Sequence, residues 1–125
     1  MNNLFLVLAG VNGFLAVALG AFAAHGLKNM LGPDLLATFQ TGVQYHMVHT
    51  LALLAVGILI LQFPTQAGLR IAGFLFLAGI LVFSGSLYVL ALSGIRWLGA
   101  ITPIGGVAFL AGWAMLAWSM LRAQA

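Results

Sequence analysis

Long apolar runs alternate with short polar connections along the chain, and this pattern occurs four times. The apolar runs cover about residues 4–24, 44–62, 69–92 and 102–121. Each is close to the length that a helix needs to cross a hydrocarbon core of about 30 Å at about 1.5 Å per residue. Open sheets are excluded because backbone polar groups in lipid must be hydrogen-bonded within the element. We therefore predict an all-α integral membrane four-helix bundle that forms a single domain over residues 1–125.

The connections between the predicted helices are short, so neighbouring helices are expected to be antiparallel. Gly26 is expected to end the first helix in the left-handed conformation, and Pro33 suits the first turn of the second. The second helix is expected to run from Pro33 to Gln62, about 45 Å, which exceeds the hydrocarbon thickness. Its N-terminal half is amphipathic. That half either projects beyond the bilayer, lies at the interface with a bend near Gly42, or packs inside the bundle.

The first apolar run also resembles a signal peptide in one respect, because Ala21, Phe22 and Ala23 fit the cleavage pattern of small residues. However, no Lys or Arg precedes the run. Its apolar length also exceeds the roughly 7–15 residues of the hydrophobic region of a signal peptide. We interpret it as a retained membrane span.

Small residues recur at helical spacing within the runs and are expected to form packing seams. Helices in lipid gain no hydrophobic free energy by associating, so close backbone contact at small residues replaces it. A smooth path for a substrate is the alternative interpretation of such a seam. The glycines assigned to helix packing are Gly13, Gly20, Gly42, Gly79, Gly105 and Gly112.

The composition supports lipid as the solvent. The chain is 64% hydrophobic and 4% charged with a mean hydropathy of +1.20, whereas soluble domains carry about a quarter charged residues. The net charge of +3 comes from isolated basic residues, and nucleic-acid binding requires clustered ones. Membrane lipid is therefore the expected partner, and nucleic acid is not. The absence of cysteine excludes thiolate chemistry and cysteine-ligated metals.

Charge decides the orientation only weakly. With four spans, Arg70 and Arg122 lie on one side and Lys28 and Arg96 on the other, so the positive-inside rule gives a tie. The free N-terminal amine and the position of Arg122 favour both termini in the cytoplasm.

Polar side chains that are capable of chemistry concentrate on the second helix. His46 and His49 are three residues apart and lie about 60° apart around the helix, with Thr38, Gly42 and Tyr45 beside them. Gln44 points nearly opposite to His46. A helix with polar groups on two sides at membrane depth needs protein or water on both sides. Polar residues of the third helix are the expected partners. The full candidate cluster is His25, Thr38, Gln44, Tyr45, His46, His49, Ser84, Ser86 and Tyr88.

Three roles remain open for the histidines. One role is hydrogen bonding that holds the bundle together, and another is handling a proton or a ligand. The third is binding Zn²⁺ or Cu²⁺, which requires His25 to fold back toward His46 and His49. A Ser84–His49–Asp34 triad is rejected, because Asp34 lies about 22 Å from His49 along the helix. We predict no catalytic residue, metal or cofactor.

Four motifs in order resemble a known family. They are the segments 20–27 (GAFAAHGL), 44–46 (QYH) with His49, 83–88 (FSGSLY) and 102–106 (TPIGG). The chain is similar over nearly its whole length to small bacterial membrane proteins of domain-of-unknown-function family 423, the YgdD-like proteins. This resemblance implies a bacterial inner-membrane protein with four spans. The family has no assigned activity, so the resemblance transfers no catalytic residue, but it includes His25, Gln44, Tyr45, His46 and Ser84 among the motif residues.

These observations leave three hypotheses. The first is a non-enzymatic structural or accessory membrane protein that packs with itself or within a larger complex, its polar cluster holding the bundle together. The second is a small oligomeric transporter or permeation unit that uses the same cluster. The third is a membrane protein that binds a metal or cofactor.

Overall fold

The predicted all-α architecture of four long apolar helices is confirmed in a computed structural model, which describes residues 3–124. The third span is built from two α-helices joined by a π-helical segment. The helices are α1 (Leu4–His25), α2 (Pro33–Gln62), α3 (Ala67–Gly79), the π-helical segment (Ile80–Ser84), α4 (Gly85–Ser93) and α5 (Thr102–Gln124). Among the described residues, these helices form four segments that are long and apolar enough to cross a membrane.

The loops differ from expectation at Gly26. Its φ of −71° is right-handed, so the predicted left-handed helix end is wrong there. The chain instead continues into a short 3₁₀-helix, Leu27–Asn29. A side chain at Gly26 would meet the Phe22 ring at 2.7 Å, so a close contact explains this glycine. Gly94 does take the left-handed conformation, with φ at +75°, and it ends α4.

Helix α2 continues without a break through Gly42 for 30 residues. Its N-terminal half packs against the neighbouring helices. Phe39 is fully buried with Leu27 and Ala91, and Gly42 is buried as well. Of the three arrangements considered for this half, packing inside the bundle is the one observed.

Two apolar cores lie at opposite ends of the bundle, because the packing faces of the helices are apolar near both ends. The larger core is centred on Phe5, Val56 and Phe76. The smaller core contains Phe39 and lies near the connection between α1 and α2. Helix α1 packs mainly on α2, helix α5 packs mainly on α3 and the π-helical segment, and α2 lies against the whole third span.

Glycines lie where helices approach closely. An added Cβ at Gly105 would collide with the Phe83 backbone, and one at Gly79 with the Phe109 ring. The other glycines assigned to packing also face neighbouring helices: Gly13 faces Thr50, Gly20 faces Val43, Gly42 faces Tyr88 and Gly112 faces Phe76. Large apolar side chains cover the outside of the bundle, as lipid requires. Phe14 is 76% exposed and Leu110 is 72% exposed.

Candidate functional site

Polar side chains from every span meet between the two apolar cores. We call this group the polar layer and define it as Asn12, His46, His49, Ser84, Ser86, Tyr88, Thr102 and Trp113. The neighbouring helices pack closely there because Gly42 leaves room for Tyr88, whose ring an added Cβ would approach to 2.9 Å.

His46 is the centre of the layer. It is 3% exposed, and each ring nitrogen binds a side chain of a different helix. Nε2 lies 2.9 Å from Oδ1 of Asn12 on α1, and Nδ1 lies 2.9 Å from the hydroxyl of Tyr88 on α4. One imidazole therefore connects three helices.

The partners of His46 assign its tautomer. The Asn12 amide nitrogen donates to the Leu8 carbonyl at 2.9 Å, so its Oδ1 faces His46 and accepts. Nε2 of His46 must therefore carry the proton. In the neutral ring, Nδ1 then accepts the hydroxyl proton of Tyr88.

Hydroxyl side chains support the backbone around His46. Thr50 donates to the His46 carbonyl at 2.7 Å, which keeps that hydroxyl satisfied within α2. Ser84 is fully buried and donates across the interface to the Gly42 carbonyl at 2.8 Å. Ser84 lies at the end of the π-helical segment, and such segments change the rotation of the helix that follows. Ser84 and Tyr88 are four residues apart, so they share one face of the helix, and both face α2.

His49 connects α2 to α5. Its Nδ1 lies 2.8 Å from the Tyr45 carbonyl, and the indole N–H of Trp113 donates to Nε2 at 3.0 Å. Since a carbonyl only accepts and an indole N–H only donates, the ring is the neutral tautomer with the proton on Nδ1. The Phe109 ring stacks on it with centroids 3.5 Å apart and planes 9° apart.

A third connection joins α4 to α5. The hydroxyls of Ser86 and Thr102 lie 2.6 Å apart, and Ser86 also donates to the Phe83 carbonyl at 3.0 Å. Within the described residues, no buried side-chain nitrogen or oxygen lacks a hydrogen-bond partner. Every polar atom that the layer buries is therefore satisfied by protein.

The predicted cluster is divided by the structure. His46, His49, Ser84, Ser86 and Tyr88 are brought together, and Tyr45 lies at their edge with its ring centroid 4.6 Å from that of Phe83. Three other members lie elsewhere. His25 is exposed at the end of α1, Thr38 donates to the Asp34 carbonyl, and Gln44 is exposed on the far side of α2.

The histidines do not converge. Among residues 3–124, no group of three His, Cys, Asp or Glu side chains is placed to hold a metal ion. The ring nitrogens of His46 and His49 are engaged by Asn12, Tyr88, Trp113 and the Tyr45 carbonyl. Those contacts are not the donor set of a metal centre.

Sequence reasoning missed Asn12, Thr102 and Trp113 as partners. The signal for Asn12 was present, because it is the one strongly polar side chain in the first apolar run and such residues usually face the protein interior. Trp113 is harder to find, since tryptophan in membrane proteins usually marks the headgroup level. The indole instead reaches His49 inside the bundle.

A groove beside the layer opens between α2 and α5. It has a volume of about 430 Å³, and its lining includes Tyr45, Val107, Leu110 and Trp113. Its walls are mostly apolar, and Val107 and Leu110 are more than 60% exposed. The groove is therefore open to the outside of the bundle.

An ion pair connects the polar end of α2 to the loop before α5. Arg96 Nη2 lies 2.9 Å from Asp34 Oδ2, and both side chains are about two-thirds exposed. Asp34 lies in the first turn of α2, outside the apolar run. The hydrogen bond from Arg96 holds the pKa of the Asp34 carboxyl below its usual range.

Comparison with known proteins identifies relatives over most of the chain. Residues 19–106 match the family described as protein of unknown function (DUF423). The UPF0382 membrane protein YwdK of Bacillus subtilis is 48% identical over 91% of this chain and 93% of its own length. A UPF0382 membrane protein of Haemophilus influenzae is 45% identical, covering 99% and 98%. The UPF0382 inner membrane protein YgdD of Escherichia coli is 40% identical, covering 97% and 92%. No solved structure matches this chain.

Proposed function

We propose that this chain, which belongs to the DUF423 family of membrane proteins of unknown function, is a non-enzymatic structural or accessory component of the bacterial inner membrane. The polar layer holds its helices in one register. The rigid bundle then presents its outer faces to lipid and to protein partners.

One observation carries this proposal. Both nitrogens of His46 are bonded to protein side chains of other helices, and the ring is buried. A histidine that binds a metal or a solute directly through its ring needs a nitrogen that is not already hydrogen-bonded to protein. His46 uses both nitrogens to connect α1, α2 and α4, which is a structural use of the ring.

The same contacts argue against the other two hypotheses. A permeation path through the layer would have to break the bonds from His46 to Asn12 and Tyr88. A metal at His49 would have to displace the Trp113 indole and the Tyr45 carbonyl. Each displacement leaves a polar group without a partner in the bundle, at a cost of about 1–3 kcal/mol for each buried group.

The proposal includes an orientation and a set of partners. In this proposal both termini lie in the cytoplasm. Lys28 and Arg96 on one side balance Arg70 and Arg122 on the other, and the position of Arg122 favours this orientation. The protein contacts membrane lipid and assembles with itself or within a larger membrane complex. A reporter enzyme that is active only in the cytoplasm, fused after Gln124, tests the orientation. Activity of the fused reporter supports a cytoplasmic C-terminus, and its absence contradicts one.

The test of function compares His46→Ala with His25→Ala. His25 is exposed and outside the layer, so its variant is a matched control for loss of an imidazole. We expect His46→Ala to lower the amount of folded protein in the membrane and its unfolding midpoint, and His25→Ala to change neither. In reconstituted vesicles, wild-type protein should add no proton flux to that of empty vesicles. Unchanged stability in His46→Ala, or a flux that this variant abolishes, would contradict the proposal.

A further inference from the structure

Helix α2 also carries exposed polar side chains on the side away from His46, namely Gln40, Thr41 and Gln44, and Gln44 is the nearest of them to the middle of the helix. Gln44 is exposed there, although it belongs to a helix that crosses the membrane. Its carboxamide therefore faces the outside of the bundle. Whether that outside is water or hydrocarbon depends on depth.

Contacts with the flanking helices establish the depth of Gln44. Asn12 pairs with His46 and lies about 4 Å from the middle of α1 along the helix axis. Gln44 is two residues before His46 in α2, which places it within about 5 Å of the same level. Trp113 pairs with His49 at the middle of α5, which places Gln44 about 8 Å from that level. Both offsets are well inside the half-thickness of a hydrocarbon core, about 15 Å. Gln44 is thus deeper than the start of the second span that hydropathy alone suggests.

A carboxamide at this depth needs a hydrogen-bonding partner. Lipid tails offer none, and glutamine is too short to reach the headgroups from there. A glutamine amide both donates and accepts, so it is complementary to a second copy of itself. In a pair of chains related by a two-fold axis, each residue on the axis meets its own counterpart.

The rest of the exposed α2 surface suits the same partner. Residues spaced alternately by four and three form one ridge around the Gln44 carboxamide. Its other side chains are small or branched and all apolar except Thr41, whose hydroxyl donates to the Ala37 carbonyl within the helix. The ridge is Ala37, Thr41, Gln44, Val48, Leu51, Ala55 and Ile58, and all seven residues are exposed. This spacing is that of a seam between two supercoiled helices, where one polar residue at a core position sets the register.

We propose that two copies of this chain pair through the α2 ridge, with the two Gln44 carboxamides hydrogen-bonded to each other near the two-fold axis. The proposal goes beyond the structural role of the polar layer and rests on different residues. His46→Ala tests the polar layer, and the experiments below test the ridge, so either can fail without the other.

The absence of cysteine allows a clean cross-linking test. Single cysteines at Gln44 and Val48 report on the ridge. Leu81→Cys is the matched control. Leu81 is 68% exposed and lies near the middle of the third span, which packs on the opposite side of α2 from the ridge. In oxidised membranes we expect disulfide-linked dimers at Gln44→Cys and Val48→Cys at least tenfold faster than at Leu81→Cys. Equal rates at all three positions, or no dimer at either ridge position, would overturn the proposal.

A second measurement tests the carboxamide itself. Energy transfer between labelled copies, measured while the protein is diluted with lipid, gives the dimer dissociation constant. Gln44→Leu should raise that constant about three- to eightfold, the effect of losing one or two interhelical hydrogen bonds. Gln44→Asn keeps an amide and should therefore raise the dissociation constant less than Gln44→Leu does. The pairing would be overturned if the protein remained monomeric at every dilution, or if the ridge bound a different membrane protein instead of a second copy.

Discussion

Replacing His46 by leucine removes the centre of the polar layer while nearly conserving side-chain volume. The substitution leaves Oδ1 of Asn12 and the hydroxyl of Tyr88 without their partner. Asn12 is buried and Tyr88 is partly buried, so neither group regains a full hydration shell. The substitution therefore measures the polar contacts and adds little from a cavity.

The expected loss follows from two estimates. Two interhelical hydrogen bonds at the membrane average of about 0.6 kcal/mol each give a lower bound of about 1.2 kcal/mol. Two stranded buried groups at about 1–3 kcal/mol each give a higher value. We expect His46→Leu to lower the free energy of unfolding by about 2–4 kcal/mol.

The assay is reversible unfolding in mixed micelles of mild detergent and dodecyl sulfate, followed by helical circular dichroism. His25→Leu, an exposed position at the end of α1, is the control and should match wild type. The informative companion is the triple variant Asn12→Leu, His46→Leu, Tyr88→Phe. It strands none of these three groups, so it should be less destabilised than His46→Leu alone.

Two results would refute this reasoning. One is a loss below about 0.5 kcal/mol in His46→Leu, the size typical of a surface substitution. The other is additivity, in which the triple variant loses the sum of its single losses. Additive losses would mean that the three side chains are not coupled through His46.

Two further predictions concern packing and pH. Gly105→Ala forces a Cβ into the Phe83 backbone and should lower the free energy of unfolding by about 1–3 kcal/mol in the same assay. Gly85→Ala is the control, because its Cβ has open space around it, and it should be neutral or stabilising by up to about 1 kcal/mol. Equal effects of the two substitutions would contradict the close approach of α5 to the third span. The hydrogen bond from Arg96 lowers the pKa of Asp34 in the folded protein. The ion pair therefore stabilises the folded state at pH values above the carboxyl pKa of the unfolded chain, about 3.9. This stabilisation is lost as the pH falls through the lower pKa that Asp34 has in the folded protein. The difference in unfolding midpoint between wild type and Asp34→Asn should therefore be present at pH 6 and vanish on acidification, and a difference that does not change with pH would contradict the pairing.

Part of the candidate site follows from the second helix alone. His46 and His49 share a stripe because their spacing of three residues is a local property of a helix. The same spacing places Gln44 on the opposite side, where it is exposed. Helical periodicity is enough for both statements, since neither depends on which helix lies next to α2.

The partners of those histidines could not be predicted in the same way. His46 bonds to Asn12, 34 positions away, and Asp34 bonds to Arg96, 62 positions away. Such pairs depend on how each helix is rotated and shifted along its neighbours. Composition and spacing do not determine that rotation.

By itself the sequence determined the solvent, the number of spans and the long second helix, because hydropathy, run length and helix-breaking residues act locally. Only the tertiary structure decided that His46 binds Asn12 and Tyr88, that His49 binds Trp113, and that His25 stays apart. The physical reason is that helix register is set by close packing at glycines such as Gly42 and Gly105 and by the π-helical segment before Tyr88. Those features become definite only when the helices are in contact.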